Sequence, residues 1–246
     1  ETGSSLRFAS FVRNGVFLRI ATNYLTPEVF RPGFLEPQGV RGIERAALTK
    51  DERSMTGRII IGIAGASGVI YGVRMLRFLT EKGLETHLIL SEAGRKNIEI
   101  ETDYKAGDVE AMASRTYDPR DVGAAPASGS FLTDGMVVVP CTIKTLSGIA
   151  HSYADNLLVR AADVTLKEKR KLVLVVRETP LHKGHLRLMT LAADMGAHIL
   201  PPVPSFYHGP KTIEDILDQT IGKICDYLGI EHNLFRRWTG EQREGS

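Results

Sequence analysis

The sequence has few of the features that identify a secreted, membrane-bound or nucleic-acid-binding protein. Its 246 residues include two cysteines, Cys141 and Cys225, which are too few for a disulfide framework and favour a reducing compartment. No apolar run approaches the roughly 20 residues that span a bilayer. A net charge of +2 gives no indication of a nucleic-acid or membrane surface. The composition, 43% hydrophobic and 24% charged, is that of a globular domain.

Residues 1–54 have no sustained hydrophobic period, so we predict no regular element there and expect the segment to be disordered. Acidic residues are absent from Thr2 to Pro27, and three arginines recur at a spacing of six: Arg7, Arg13 and Arg19. An Arg-rich, acid-poor stretch is typical of a transit peptide. We favour the alternative, a leader or upstream in-frame stretch before a natural start at Met55. The expected location is therefore cytoplasmic, or mitochondrial if the segment is a transit peptide.

From Arg58 onward, short apolar runs alternate with segments of helical periodicity. The pattern predicts strands at 58–64, 85–90, 135–139, 172–176 and 197–200. It predicts helices at 69–82, 92–100, 108–114, 142–150, 156–169, 184–195 and 212–228. Strands that alternate with helices form right-handed crossovers, so we expect an α/β fold with a parallel sheet covered on both faces. Ligands bind beyond the carboxyl ends of such strands, which places the chemistry just after residues 64, 90, 139 and 176.

The first predicted strand leads into a glycine-rich turn, Gly65-Ala66-Ser67-Gly68. Glycines let a ligand approach the backbone closely, and the following helix directs its N–H groups at an anion. Ser67 can cap that helix and also face the ligand. The glycine spacing differs from the dinucleotide G-x-G-x-x-G pattern, so we do not infer NAD. A plain tight turn between strand and helix is an equal alternative.

Polar residues also follow the other predicted strands. Ser91 either caps the next helix or donates a hydrogen bond to a ligand. Thr142 caps a helix whose first turn carries Lys144, and a cation there opposes the helix dipole unless an anion binds. Arg177 follows the fourth strand, where a guanidinium suits a phosphate. Glu178 beside it either shuttles protons or forms an ion pair with Arg177.

Three further candidates have ordinary structural explanations. Cys141 has no activating base in the sequence, so a small buried residue is the better interpretation than a nucleophile. His182 and His185 lack a third metal ligand and are interpreted as loop and helix polar residues. The segment 101–103, Glu-Thr-Asp, is either an acid/base pair or an acidic surface turn.

Taken in order, these segments resemble the flavin prenyltransferase family, also called the UbiX type. The resemblance covers roughly residues 58–238 and rests on GASG (65–68), ETD (101–103), DGMVVVPC (134–141), KTLSGI (144–149), RAADV (160–164), LKEKRKLVLVVRETPLH (166–182), PPVPSFYH (201–208) and RRW (236–238). It implies that residues 57–240 form a flavodoxin-like (Rossmann-type) three-layer sandwich. It also implies a homo-oligomer, commonly a dodecamer, with sites between subunits and no metal.

The activity that the resemblance implies is prenylation of a flavin. The dimethylallyl group of dimethylallyl phosphate is joined to N5 and C6 of reduced FMN, and the prenylated FMN serves a UbiD-type decarboxylase for ubiquinone precursors or phenolic acids. One alternative is a flavin-dependent decarboxylase of the same fold, either of cysteine or of an aromatic acid. The cysteine type carries a PASANT segment, whereas residues 126–130 here read PASGS. The other alternative is a flavin carrier without chemistry.

Carried over position by position, the resemblance implies three groups of site residues. The flavin group is Gly65, Ala66, Ser67, Ser91, Thr142, Ile143, Lys144, Thr145 and Arg177. The group near the prenyl phosphate is Arg160, Lys167, Tyr207, Lys223 and Trp238. The proton-handling group is Ser67, Glu101 and Glu178. At position 223 many relatives carry Arg, so Lys223 keeps the charge but not the bidentate geometry.

Overall fold

The computed structural model describes residues 57–240 and two short strands near the start of the chain. The chain divides into two units, Glu1–Arg53 and Ser54–Ser246. In the first unit, β1 (Phe8–Arg13) and β2 (Val16–Ala21) pair antiparallel. Both are rich in aromatic and β-branched residues, which favour strands, so the expectation of no regular element was wrong here. The rest of the leader prediction lies outside the described residues.

The second unit contains a six-stranded sheet and seven helices among its described residues. The strands are β3 (Arg58–Ile63), β4 (Glu85–Leu90), β5 (Arg115–Tyr117), β6 (Gly135–Cys141), β7 (Lys171–Val176) and β8 (His198–Ile199). The helices are α1 (Val69–Glu81), α2 (Glu92–Glu101), α3 (Ala106–Met112), α4 (Ile143–Ala150), α5 (Leu157–Lys167), α6 (Lys183–Asp194) and α7 (Ile213–Leu228). Every predicted element is present with small shifts at its ends, whereas β5 and a 3-10 turn at Ala125–Ala127 were not predicted.

The strand order is β5-β4-β3-β6-β7-β8, and all neighbouring strands are parallel. Without the short edge strand β5, this is the order of flavodoxin-like sheets. The chain reverses its direction of winding between β3 and β6, where a crevice opens beyond the strand ends. This switch point places the turn after β3 beside the start of α4.

Alternating residues of each strand enter two cores. Along β3, Ile59, Ile61 and Ile63 pack with α1, α2, α3 and α7, while Ile60 packs with α4, α5 and α6. Gly62 faces α5 so closely that a Cβ there would lie 3.1 Å from Leu158 Cγ. The predicted three-layer sandwich is therefore confirmed, with the sheet as its middle layer.

Candidate active site at the carboxyl edge of the sheet

A cavity of about 970 Å³ lies beyond the carboxyl ends of β3, β4 and β6, at the switch point. The start of α4 and the first turn of α5 form its other walls. Five of the residues predicted to bind flavin line this cavity: Gly65, Ser91, Thr142, Lys144 and Thr145. The fold brings together residues that are far apart in sequence, and their contact with flavin stays a prediction.

The turn after β3 depends on close packing by α2. A Cβ on Gly65 would lie 2.2 Å from the Cβ of Ala93, so no side chain fits at that position. Asn97 Nδ2 donates a hydrogen bond to the Gly65 carbonyl at 3.0 Å. Gly68 adopts a φ of 91°, a left-handed conformation that favours glycine. The backbone of the turn is thus fixed against the cavity wall.

Two of the polar residues at the cavity are helix caps. Ser91 Oγ accepts a hydrogen bond from the Gly94 amide, and Thr142 Oγ1 accepts one from the Thr145 amide, both at 3.0 Å. Lys144 is exposed in the first turn of α4, where its charge adds to the positive end of the helix dipole. Ser91 and Thr142 therefore both cap a helix and line the cavity. The start of α4 attracts an anion.

The start of α1 is capped by an acidic residue. Glu101 Oε2 accepts hydrogen bonds from the backbone amides of Gly68 at 2.7 Å and Val69 at 3.3 Å. The prediction that Ser67 caps this helix was wrong, because Gly68 is the capping residue and makes no side-chain bond. A carboxylate binds amide groups more strongly than a hydroxyl does. Ser67 is instead exposed.

Arg177 and Glu178 follow β7 at the same edge of the sheet, and both are exposed. The Arg177 amide donates to the carbonyl of Cys141 at 3.1 Å, which joins the ends of β6 and β7. Glu178 Oε1 accepts a hydrogen bond from the Thr179 amide at 3.0 Å. Within residues 57–240, no ion pair joins Arg177 to Glu178, so the ion-pair interpretation is not observed.

None of the residues predicted near the prenyl phosphate lines the large cavity. Arg160 is one turn into α5 and forms an ion pair with Asp163 at 3.0 Å. Lys167 ends α5, where it pairs with Glu168. Eleven helical residues span about 15 Å, so Lys167 lies towards the amino edge of the sheet. A single protomer therefore does not bring Lys167 to the cavity.

Tyr207 and Trp238 meet at a second, smaller cavity of about 240 Å³. Their ring centroids are 6.3 Å apart, and the remaining lining residues are Phe206, His208, Arg236, Arg237 and Thr239. Lys223 lies on α7 with its Nζ 3.6 Å from Asp226 Oδ2. One protomer therefore does not bring together, beside the glycine turn, the four residues Lys167, Arg177, Tyr207 and Lys223.

The cavity also contains residues that the sequence did not single out. Pro119 and Arg120 enter it after the unpredicted strand β5. The connection from α4 to α5 contributes His151, Tyr153, Asp155 and Asn156. Asn156 Oδ1 accepts a hydrogen bond from the Val159 amide at 3.1 Å, and this helix cap was the available sequence signal.

The other candidates have structural roles. Burial raises the pKa of the Cys141 thiol to about 12, which keeps it protonated and unsuited to nucleophilic attack. His182 Nδ1 accepts a hydrogen bond from the Gly184 amide at 3.0 Å and caps α6.

Between residues 57 and 240, no three metal-ligating side chains gather. In the same part of the chain, no helix combines the length and apolar character of a membrane span.

Comparison with known proteins identifies the family. Residues 47–230 match a family model described as Flavoprotein. A flavin prenyltransferase UbiX from Escherichia coli is 56% identical over 186 residues, which cover 74% of this chain and 98% of that protein. The chain belongs to the UbiX-type flavin prenyltransferase family.

Two solved structures resemble this UbiX-type chain. One is AnUbiX in complex with FMN and dimethylallyl pyrophosphate, with 44% identity, a TM-score of 0.74, and coverage of 75% of this chain and 98% of that one. The other is a dodecameric FMN-dependent Ubix-like decarboxylase from Escherichia coli O157:H7, with 48% identity, a TM-score of 0.73, and coverage of 74% and 100%. The predicted family and flavodoxin-like fold are confirmed.

Proposed function

We propose that this protein transfers the dimethylallyl group of dimethylallyl phosphate to N5 and C6 of reduced FMN. The observation that carries the proposal is the 970 Å³ cavity at the switch point, in a chain 56% identical to a flavin prenyltransferase. In this reaction, the bond between the allylic carbon and the phosphate oxygen breaks as the bond to N5 forms. The product, prenylated FMN, is used by a UbiD-type decarboxylase.

The cavity has the chemistry that FMN requires. The phosphate of FMN suits the start of α4. There Thr142 and Thr145 supply hydroxyls, Lys144 supplies a cation, and the helix dipole adds positive charge. The isoalloxazine ring of FMN suits the apolar wall that Ala64 and Leu158 form. When bound, reduced FMN supplies the nucleophilic nitrogen and the ring carbon.

The remaining predicted residues act on dimethylallyl phosphate or on the proton at C6 of the flavin. Arg160, Lys167, Tyr207 and Lys223 stabilise the negative charge that develops on the departing phosphate. Trp238 shields the allylic group from water. Closure of the ring joins C6 to the far carbon of the allylic double bond, whose inner carbon takes up one proton as C6 loses one. Glu178, assisted by Ser67, takes the proton from C6, and Glu101 belongs to the same proton-handling group.

We propose further that each site is completed between copies of the chain in a homo-oligomer such as a dodecamer. The support is the distance of Lys167 and Tyr207 from the flavin cavity within one protomer, together with the dodecameric relative. Lys167→Met and Glu178→Gln should each fail to complete the ring, and mixing them after dissociation should restore ring closure at about a quarter of the sites at random assortment. Mixtures that stay inactive would contradict sharing between copies.

The central assay supplies FMN, dithionite and dimethylallyl phosphate and measures the mass of the flavin. A prenyltransferase adds one five-carbon unit to the flavin. A parallel reaction with dimethylallyl pyrophosphate is needed because AnUbiX was solved with that ester. Unchanged flavin mass with both esters would overturn the proposal.

The second candidate is a flavin-dependent decarboxylase, because the 48% identical relative was described as one. Carbon dioxide released from an aromatic acid by the FMN-loaded protein, without prenylation, would support this alternative. Prenylation without release of carbon dioxide would exclude it.

The proposed location is the cytoplasm, with mitochondria as the alternative if residues 1–54 are a transit peptide. Fusion of these residues to a fluorescent protein distinguishes the two. Mitochondrial fluorescence would overturn the cytoplasmic proposal.

A further inference from the structure

We infer that Asp226 is a positioning residue that fixes Tyr207, Lys223 and Trp238 relative to one another. It does so by holding the C-terminal strap, defined as residues 230–238, against α7. The inference rests on the proposed function, because it assigns these three residues to the prenyl phosphate. Asp226 itself lines neither of the two cavities described above.

Three nitrogen-bearing side chains converge on the Asp226 carboxylate. Its Oδ1 lies 2.7 Å from Arg237 Nη2 and 3.0 Å from His232 Nε2. Its Oδ2 lies 3.2 Å from Arg237 Nη1 and 3.6 Å from Lys223 Nζ. Arg237 therefore binds both oxygens, the geometry that gives an arginine–carboxylate pair its directionality. One carboxylate links α7 to two points of the strap.

The strap lies directly on the backbone of α7. A Cβ on Gly222 would lie 2.5 Å from Phe235 Cε1 and 2.6 Å from His232 Cε1, so glycine is needed for this approach. The His232 side chain is 1% exposed, and its Nδ1 accepts a hydrogen bond from the Leu234 amide at 3.3 Å. The buried imidazole thus connects Asp226 to the strap backbone.

The end of the strap lines the smaller cavity, so the contacts that hold the strap on α7 also hold Trp238 there. Trp238 follows Arg237, and its ring meets that of Tyr207 edge-on at 6.3 Å. Within one protomer Trp238 is 63% exposed, so packing inside that protomer restrains it weakly. Removal of the Asp226 charge would leave Arg237 and Lys223 to repel each other and would release Trp238 from Tyr207.

The strap stays attached at ordinary pH. The hydrogen bonds from Arg237, more than any other factor, lower the pKa of Asp226 to about 2. The carboxylate is therefore ionised under all conditions in which such an enzyme is assayed.

The test uses Asp226→Asn, which keeps the size of the side chain and removes its charge. Trp238 is the single tryptophan of the chain, so its fluorescence anisotropy reports the strap directly. We expect the anisotropy to fall and the KM for dimethylallyl phosphate to rise about tenfold, with kcat and the Kd for FMN changed less than about twofold. The control is Asp218→Asn. Asp218 lies on α7 like Asp226, and its carboxylate forms a similar pair with Arg74 of α1.

Equal anisotropy and equal KM in the two variants would overturn the inference. If Asp226→Asn does not fold, Arg237→Gln decides, because Arg237 is 57% exposed and its loss leaves the contact between His232 and Asp226. Arg237→Gln must then reproduce the loss of anisotropy and the rise in KM. If the native protein does not transfer a prenyl group, the proposed function fails, while the anisotropy still decides whether Asp226 holds the strap.

Discussion

Glu101 Oε2 accepts a hydrogen bond from the Gly68 amide at 2.7 Å, which joins the end of α2 to the start of α1. The positive end of α1 is therefore neutralised by the protein's own carboxylate. The start of α4 lines the large cavity, and its first turn carries Lys144 and no acidic residue. An anionic ligand is directed to α4 for this reason.

Replacement of Glu101 by Gln separates its structural role from its proposed chemical role. The amide can still accept a hydrogen bond from Gly68, so we expect a loss of only about 0.5–1 kcal/mol in the free energy of unfolding. If Glu101 also handles protons, kcat should fall at least about tenfold. Chemical denaturation and turnover measure the two effects. Glu99→Gln on the same helix is the control. A native kcat in Glu101→Gln would show that Glu101 caps α1 and takes no part in proton transfer.

Lys144→Met should weaken FMN binding about tenfold, because it removes a charge-assisted contact to the phosphate. The same change relieves the repulsion between Lys144 and the helix dipole, so the ligand-free protein should be as stable as the native one or slightly more stable. Thermal unfolding with and without FMN measures both effects. Lys183→Met, in the first turn of α6 and outside the large cavity, should leave FMN affinity unchanged. Equal FMN affinity in the two variants would contradict the placement of the phosphate at α4.

Gly65→Ala should destabilise the protein and abolish flavin binding. The new methyl group would meet Ala93, and such overpacking costs about 1–3 kcal/mol. Gly107→Ala is the matched control, since its methyl group would have no neighbour within 4 Å. Urea unfolding and FMN titration of both variants test this expectation, which native behaviour of Gly65→Ala would refute.

Glu178→Gln should let the bond to N5 form and stall the closure of the ring at C6. The side chain is exposed at the edge of the sheet, and within residues 57–240 its carboxylate accepts a hydrogen bond from the Thr179 amide alone, which leaves it available to a substrate. Single-turnover spectra should show one fast phase and no completion. Asp194→Asn, an exposed carboxylate at the end of α6, is the control. Normal completion in Glu178→Gln would assign the proton transfer to another group.

His87 should make the protein less stable at mildly acidic pH. Burial lowers its pKa below the ordinary 6.5 and outweighs the opposing effect of the hydrogen bond to Glu85. As the pH falls below 6.5, the unfolded chain takes up a proton that the folded chain does not, so the free energy of unfolding falls.

Thermal unfolding between about pH 7.5 and 5.5 measures this slope above the range in which carboxylates titrate. His87→Gln should remove part of the slope, whereas His198→Gln, an exposed histidine on β8, should retain it. Identical slopes in the native protein and His87→Gln would show that His87 does not contribute.

The regular elements of the sandwich could be predicted because buried strands and amphipathic helices have distinct periods. Strand β5 could not, since it has three residues at a sheet edge with Arg115 and Thr116 exposed. It is specified by distant contacts, such as the 2.8 Å hydrogen bond between Tyr117 and His87. Arg120, which follows it into the cavity, was missed for the same reason.

The candidate site was predictable where it lies at strand ends, and less so where it depends on tertiary pairing. Gly65, Ser91 and Thr142 follow strands, so parallel-sheet geometry alone places them together. The pairing of Asp226 with Arg237 has no local signature, because the two residues are eleven positions apart and the end of α7 lies between them. Lys167 and Tyr207 do not line the large cavity of their own protomer, and the sharing of sites between copies that we propose would bring them to it.

The length of α5 sets a condition on catalysis. If sites are completed between copies as we propose, an isolated protomer keeps the large cavity but lacks the Lys167 of a neighbouring copy, so on dilution it would bind flavin without turning it over. Specific activity would then rise with enzyme concentration until every copy is assembled. Subunit supply in the cell, and not flavin supply alone, would govern the rate of product formation.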